Sequence, residues 1–162
     1  MLVNETKPQN HYNYNSNNEN TWNSFVTTNG ITYEVTFINC TAFLGEYPEI
    51  SNSVYEMSIL TQDSAPPLDL LVESTIIEIT ENFLHNNPIA LLIICDSLDR
   101  KHEARKRKFS SWVNKSKLAN DYEVHEGTTS ISEVQIHNTV IFKSDLPIKK
   151  KILDALFEIN EN

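Results

Sequence analysis

The feature that most constrains the fold of this chain is an apolar run at residues 89–95. Acidic residues and then basic residues follow the run directly. All seven positions of the run are apolar, which is typical of a strand covered on both faces of a sheet. Asp96 and Asp99 follow in a predicted turn, and a basic helix is predicted over about 99–116. Ligand sites of α/β proteins lie beyond the carboxyl ends of such strands, so a site is first expected in this segment.

The remaining apolar patterns predict strands on both sides of this run, with helices between them. In chain order they are a hairpin around Asn29-Gly30, a strand at about 54–60, a helix from about 70 to 84, strands near 121–126 and 133–143, and a last helix after Pro147. The predicted order is therefore β-β-β-α-β-α-β-β-α. This order predicts the α+β class, a single domain with a mixed, mostly antiparallel sheet whose central strand is the run at 89–95.

Length and composition divide the chain into a leader and one domain. Its 162 residues fit a single domain that can bury a core without disulfides or metal. Residues 1–21 are polar, rich in Asn and without periodicity, so they are predicted to be a disordered leader. The α+β domain is then predicted over residues 22–162. Of the two cysteines, Cys40 and Cys95, the second lies in the apolar run, which favours a buried thiol at Cys95 over a disulfide.

Charge is distributed unevenly along the chain. The net charge is −9, yet residues 100–117 carry eight of the 13 Lys and Arg against one acid, which is +7 for that segment and −16 for the rest. A basic helix on an acidic body can face an outside polyanion or the chain's own carboxylates. Broad nucleic-acid binding needs a large positive surface, so the negative net charge argues against it. No stretch approaches a membrane span and no signal peptide is recognised, so a cytoplasmic protein without a membrane contact is expected.

Five residues at the predicted basic helix form the candidate binding or structural cluster: Asp96, Asp99, Arg105, Arg107 and Lys108. Asp99 is placed to cap the helix, where a carboxylate also favours the positive end of the helix dipole. Arg105 shares a helical stripe with Phe109 and Trp112, the face expected to pack on the sheet, so it needs a carboxylate, and Asp96 is the local candidate. Two interpretations stay open, a structural Asp96–Arg105 ion pair and a ligand-binding cleft lined by both groups. Arg107 and Lys108, the other basic residues of the cluster, are expected to be exposed and to give the helix an excess of positive charge.

The same segment does not contain a complete catalytic set. A phosphatase-type loop after Cys95 would need an Arg where Lys101 stands, and glycines that present N–H groups to phosphate. Asp96 with Asp99 could serve as an aspartyl-phosphate site or a nuclease-like metal cluster, so a Mg²⁺-dependent hydrolase or phosphotransfer enzyme is kept as an alternative. The five His residues never fall in a metal-ligand spacing, and no nucleotide-binding motif occurs. No catalytic residue, metal ligand or cofactor is therefore assigned.

One part of the sequence resembles a known family. Residues 95–99 (Cys-Asp-Ser-x-Asp) and 104–112 (Ala-Arg-x-Arg-x-Phe-x-x-Trp) are similar to the most distinctive part of an uncharacterised family of small bacterial proteins, mainly from Bacteroidetes. Shorter stretches at 30–33 and 75–77 are also similar, and the resemblance covers about residues 22–143. The family is a domain of unknown function, so the resemblance implies no activity and marks only the cluster above, with Phe109 and Trp112, for attention. The chain departs from the family pattern at Arg100, where a small residue is expected.

These observations favour a non-enzymatic cytoplasmic protein that binds a macromolecule, with a protein partner preferred, through the basic helix at about 99–116. The reasons are the basic helix on an acidic body and the lack of a complete catalytic set. The Mg²⁺-dependent enzyme that uses Asp96 and Asp99 is the first alternative. Local nucleic-acid binding through the basic helix is the second, and it is disfavoured because Trp112 is expected in the core, where it cannot stack on a base. No oligomeric state is assigned.

Overall fold

The computed structural model describes residues 10–42, 44–63, 65–96, 102–115, 120–131 and 134–158. The strands in this part of the chain are β1 (Asn15–Ser16), β2 (Trp22–Val26), β3 (Thr32–Asn39), β4 (Val54–Thr61), β5 (Ala90–Asp96), β6 (Tyr122–Ile131) and β7 (Val134–Lys143). The α-helices are α1 (Leu70–Asn86), α2 (His102–Lys115) and α3 (Lys149–Glu158), and short 3-10 helices lie at Cys40–Ala42 and Ser51–Ser53. The predicted element order is confirmed, and the two-residue strand β1 precedes it.

The described strands form one seven-stranded sheet in the order β1-β2-β3-β4-β5-β7-β6. β4 and β5 are parallel and every other neighbouring pair is antiparallel, so the predicted α+β domain with a mixed, mostly antiparallel sheet is confirmed. The parallel pair arises because α1 lies between β4 and β5 and returns the chain to the same end of the sheet. β5 lies between β4 and β7, which confirms the predicted interior position of the apolar run.

Helices cover the sheet on both faces, and each face has its own core. α1 and α2 pack on one face, where their Phe83 and Trp112 join a core that contains Ile93 of β5. α3 packs on the other face, where its Ile152 joins a core that contains Leu92 of β5. Because neighbouring side chains of a strand point to opposite faces, a strand between two cores needs apolar residues on both of its faces. None of the helices in the described residues is long and apolar enough to cross a bilayer.

The β2–β3 hairpin follows from its turn sequence. Gly30 has a φ of 78°, in the left-handed region that a side chain disfavours, and Asn29 precedes it. The resulting register sets Phe25 opposite Tyr33, and their rings stack with 5.2 Å between centroids. The hairpin predicted from Asn29-Gly30 is therefore confirmed.

The Asn-rich N-terminal tract is folded over residues 10–21, which differs from the disorder predicted for 1–21. β1 pairs with β2, and the Tyr12 ring stacks on Phe25 with 5.9 Å between centroids. The Tyr12 amide donates to Thr75 Oγ1 at 2.8 Å and its hydroxyl donates to Asp69 at 2.6 Å, so the tract is tied to α1. The aromatic ring supplies buried surface that the polar composition of the tract hides. Residues 1–9 lie outside the described part of the chain, and their disorder stays a prediction.

Candidate functional site

The two parallel strands of the sheet separate before they end. β4 and β5 pair over three residues and diverge after Glu56 and Leu92. Beyond this point, residues 57–61 of β4 pair with β3 on their other side, and residues 93–96 of β5 pair with β7 on theirs. Within the described residues, the edges that face each other across the gap have no strand partner. Unpaired edges present N–H and C=O groups with which an incoming chain can pair.

A groove of about 500 Å³ opens between the separated strands. Glu56 and Ser58 line it together with Met57 and Ile59. Since neighbouring side chains of a strand point to opposite faces, the groove passes between the strands and is not confined to one face of the sheet. The lining also includes Ile93 and Ile94 of β5, Val72 and Ile76 of α1, and Lys108, Phe109 and Trp112 of α2.

α2 forms one wall of the groove because its apolar stripe faces the sheet. Phe109 and Trp112 lie three residues apart on one face of the helix, and their rings meet edge to face with 5.1 Å between centroids. Trp112 is 6% exposed, which confirms its predicted position in the core. A smaller cavity of about 30 Å³ is lined by Trp112 and by other residues of α1, α2 and the sheet, among them the apolar Ile77 and Ile141.

Two hydrogen-bond donors at the groove have no acceptor in the described part of the chain. The Nε1–H of Trp112 is buried and unpaired there. A buried donor left in this state costs about 1–3 kcal/mol, which is why such groups are rare in proteins. Among the described residues Lys108 has no carboxylate within ion-pair distance, whereas Lys115 of the same helix is paired with Glu73 at 2.9 Å. The two donors differ in access, because Lys108 is exposed whereas the Trp112 Nε1 atom is buried.

The start of α1 lies beside the groove and carries negative charge. Asp69 caps the helix by accepting from the Leu71 amide at 2.9 Å. Burial raises the pKa of Tyr33, which lines the groove, and the charges of Asp69 and Asp63 raise it further. A free helix N-terminus attracts anions, but these carboxylates make this part of the groove unfavourable for a phosphate group.

The cluster predicted from the sequence falls only partly within the described residues. Asp96 ends β5 and Arg105 lies within α2, but their side chains, like the whole of Asp99, lie outside the described part of the chain. The Asp96–Arg105 ion pair, the ligand-binding cleft around it and the Asp99 cap therefore stay predictions. Arg107 and Lys108 are exposed on α2, and the fold brings Lys108 to the groove. In the part of the chain that is described, no three His, Cys, Asp or Glu side chains are grouped to hold a metal ion.

No sequence pattern marks the β4 side of the groove. Met57 and Ile59 fit the alternation of an ordinary half-buried strand, and they do lie on its inner face opposite Phe37 and Val35. Their position at a gap depends on where β4 leaves β5, which is a property of the pairing of two distant segments. The one local signal for the groove was the stripe of Phe109 and Trp112 beside a basic residue on α2.

Cys40 is a buried free thiol. Burial, with a smaller contribution from the charge of Glu56, raises the pKa of its thiol to about 11. The nucleophilic thiolate is therefore scarce at neutral pH, and Cys40 is not a candidate catalytic group. The side chain of Cys95 lies outside the described residues.

Fold and site together define a single α+β domain with an open groove, of mixed polar and apolar lining, beside a basic helix. The chain belongs to a family of unknown function, DUF6169, whose model matches residues 69–158, and the predicted kinship to such a family is confirmed. No curated protein matches the chain. A solved structure of a CoA-dependent acyl-homoserine lactone synthase, MesI, is similar with a TM-score of 0.39 and 10% identity, over 80% of this chain and 66% of that one. A likeness of this size does not transfer the activity of that enzyme to this chain.

Proposed function

We propose that the chain is a non-enzymatic binding module that takes up an extended segment of a partner protein, along the groove between β4 and β5 and against α2. The observation that carries the proposal is the pair of unpaired strand edges, at 57–61 and 93–96, that open into the groove. An extended peptide satisfies such edges with main-chain hydrogen bonds, while pockets beside them receive its alternate side chains. A cytoplasmic site of action is part of the same proposal.

Three features support a peptide over other ligands. The groove has both apolar and polar side chains in its lining, and the apolar ones can contact alternate side chains of an extended peptide. The carboxylates of Asp69 and Asp63, which act on Tyr33, repel anions at that part of the groove, so they disfavour phosphate there and leave the acidic side chains of a peptide to the α2 side. The net charge of −9 and the burial of Trp112, whose ring cannot stack on a base, disfavour a nucleic acid.

The charge on α2 supports an acidic partner segment. Arg107 and Lys108 are both exposed, and Lys108 also lines the groove. Charges at the border of an interface act mainly on the association rate and on the choice of partner. Binding should therefore weaken as salt is added, because the Debye length falls from about 10 Å at 0.1 M to about 3 Å at 1 M.

The proposal is tested with fluorescein-labelled decapeptides that combine apolar residues with Asp or Glu, and with the same peptides carrying Lys in place of each acid. Fluorescence anisotropy with the full chain should detect binding of the acidic set alone, with a Kd in the micromolar range, about −8 kcal/mol. Changing Arg107→Glu with Lys108→Glu should weaken binding about tenfold or more. The matched control is Lys150→Glu with Lys151→Glu, the same charge change at exposed positions of α3, and it should bind like the unchanged protein.

The main-chain pairing has its own test. Peptides that bind are remade with alternate backbone nitrogens methylated, in each of the two possible registers. Neighbouring N–H groups of a strand point to opposite sides, and an edge lies on each side of the inserted segment, so methylation in either register should weaken binding. Binding of both methylated forms that is as tight as that of the unmethylated peptide would exclude strand addition. If no acidic peptide binds, or if the α3 control weakens binding as much as the α2 variant, the proposed function is wrong.

A further inference from the structure

We infer that the groove recognises a free carboxylate at the end of an apolar chain, which in the proposed partner segment is its C-terminus. The inference rests on the proposed function and names the chemical group that the site selects. It stands on two donors, the Lys108 ammonium and the Trp112 indole N–H, whose residues line the same groove. Neither donor has an acceptor among the described residues.

Lys108 supplies the positive charge of this site. Its Nζ lies 5.2 Å from the centroid of the Trp112 ring, over the ring face. Two other lysines in the described part of the chain are held by carboxylates: Lys115 by Glu73 at 2.9 Å and Lys149 by Glu123 at 2.8 Å. Lys108 has no such partner there, so its charge is free to pair with an anion. The apolar wall beside it strengthens that attraction relative to open water.

Trp112 supplies the second donor. Its ring lines the groove, and its N–H is buried without an acceptor in the described residues. A carboxylate has two oxygens that can accept from two donors at once, and hydrogen bonds to a charged acceptor are shorter and stronger than those to a neutral one. An amide in the same place offers one oxygen and no charge. The pair of donors therefore favours a carboxylate.

The other side chains that line the groove select the part of the ligand to which the carboxylate is attached. Ile59, Ile93 and Phe109 are apolar, so they favour an apolar terminal residue or an alkyl chain. The cavity of about 30 Å³ beside Trp112 has room for groups of the size of a water molecule, such as the methyl groups of Val, Leu or Ile. Glu56 also lines the groove, and its negative charge opposes a carboxylate. Removal of that charge should strengthen binding.

The test uses octanoate and octanamide, which share one alkyl chain and differ in the charge and acceptors of the end group. The sequence has two Trp, so the full chain carrying Trp22→Phe has Trp112 as its one indole. In ¹⁵N-labelled protein, octanoate should move the Trp112 indole N–H signal downfield and bind about tenfold more tightly than octanamide. Lys108→Gln should abolish this preference and Glu56→Gln should strengthen octanoate binding. Lys150→Gln, at an exposed position of α3 outside the groove lining, should change neither.

The outcomes separate this inference from the proposed function. An unmoved Trp112 signal, or equal binding of octanoate and octanamide, overturns the inference. The acidic decapeptides are also compared with free and with amidated C-termini. Stronger binding of the free form supports the inference, and equal binding of both forms overturns it while the peptide-binding function stands. If octanoate binds as expected and no peptide does, the carboxylate site stands and the peptide-binding function is wrong.

Discussion

Replacement of Trp112 by Phe should leave the free energy of unfolding nearly unchanged, although the residue is 6% exposed and lies in the core. The change keeps an aromatic ring and removes about three ring atoms, which costs about 2 kcal/mol at about 0.8 kcal/mol for each buried group of methylene size. The lost group includes the N–H that has no acceptor in the described residues, and relief of a buried unpaired donor stabilises by about 1–3 kcal/mol. The two effects should cancel to within about 1 kcal/mol.

Urea unfolding measures this balance through the midpoint, provided that the slope of the transition is unchanged. A loss of more than about 3 kcal/mol in Trp112→Phe would refute the reasoning, because it would mean that the N–H has an acceptor. Trp112→Ala removes the whole ring and should cost about 3–5 kcal/mol, which shows that the position is sensitive. Trp22→Phe at a position that is 39% exposed should stay within about 0.5 kcal/mol and serves as the control.

Three further predictions concern packing, capping and metal. Gly127→Ala should destabilise by about 1–3 kcal/mol, because an added Cβ would lie 2.5 Å from Cε1 of Phe157, and Phe157→Leu in the same chain should recover part of the loss. An unchanged urea midpoint in Gly127→Ala would contradict this packing. Asp69→Ala should lower the free energy of unfolding by about 1–2 kcal/mol, since it removes the α1 cap and the acceptor of the Tyr12 hydroxyl. Asp69→Asn should keep most of the cap. Equal losses of stability in the two variants would exclude capping as the cause. Millimolar Mg²⁺ or Mn²⁺ should leave the melting temperature unchanged, and a rise would favour the metal-dependent alternative through linkage.

Local patterns were enough to predict the elements of this fold. The apolar run at 89–95 predicted the interior strand β5, and Asn29-Gly30 predicted the hairpin of β2 and β3. Both signals act between residues that are close in the chain, because apolar periodicity reports the faces of one element and turn residues report the local backbone. The same reasoning placed Phe109 and Trp112 on the buried face of α2, where the structure has them.

The N-terminal tract shows where composition fails. Its polar residues predict disorder, but Tyr12 pairs with Asp69 and Thr75, which are 57 and 63 residues away in the sequence. The Tyr12 ring and its hydrogen bonds, together with the pairing of β1 with β2 and a hydrogen bond from Asn82 to the Tyr14 hydroxyl, hold a short segment that has no periodicity of its own. Such an anchor depends on a surface that exists only after α1 and β2 have packed.

The sequence by itself determined the α+β class, the order of the elements and a basic helix with an aromatic stripe. Only the tertiary structure decided that β4 and β5 separate after Glu56 and Leu92, and that Lys108 and Trp112 face the gap. The physical reason is that strand pairing and helix packing join segments far apart in the chain, and the balance of their backbone hydrogen bonds and burial sets where pairing ends. No local pattern in either strand encodes that balance.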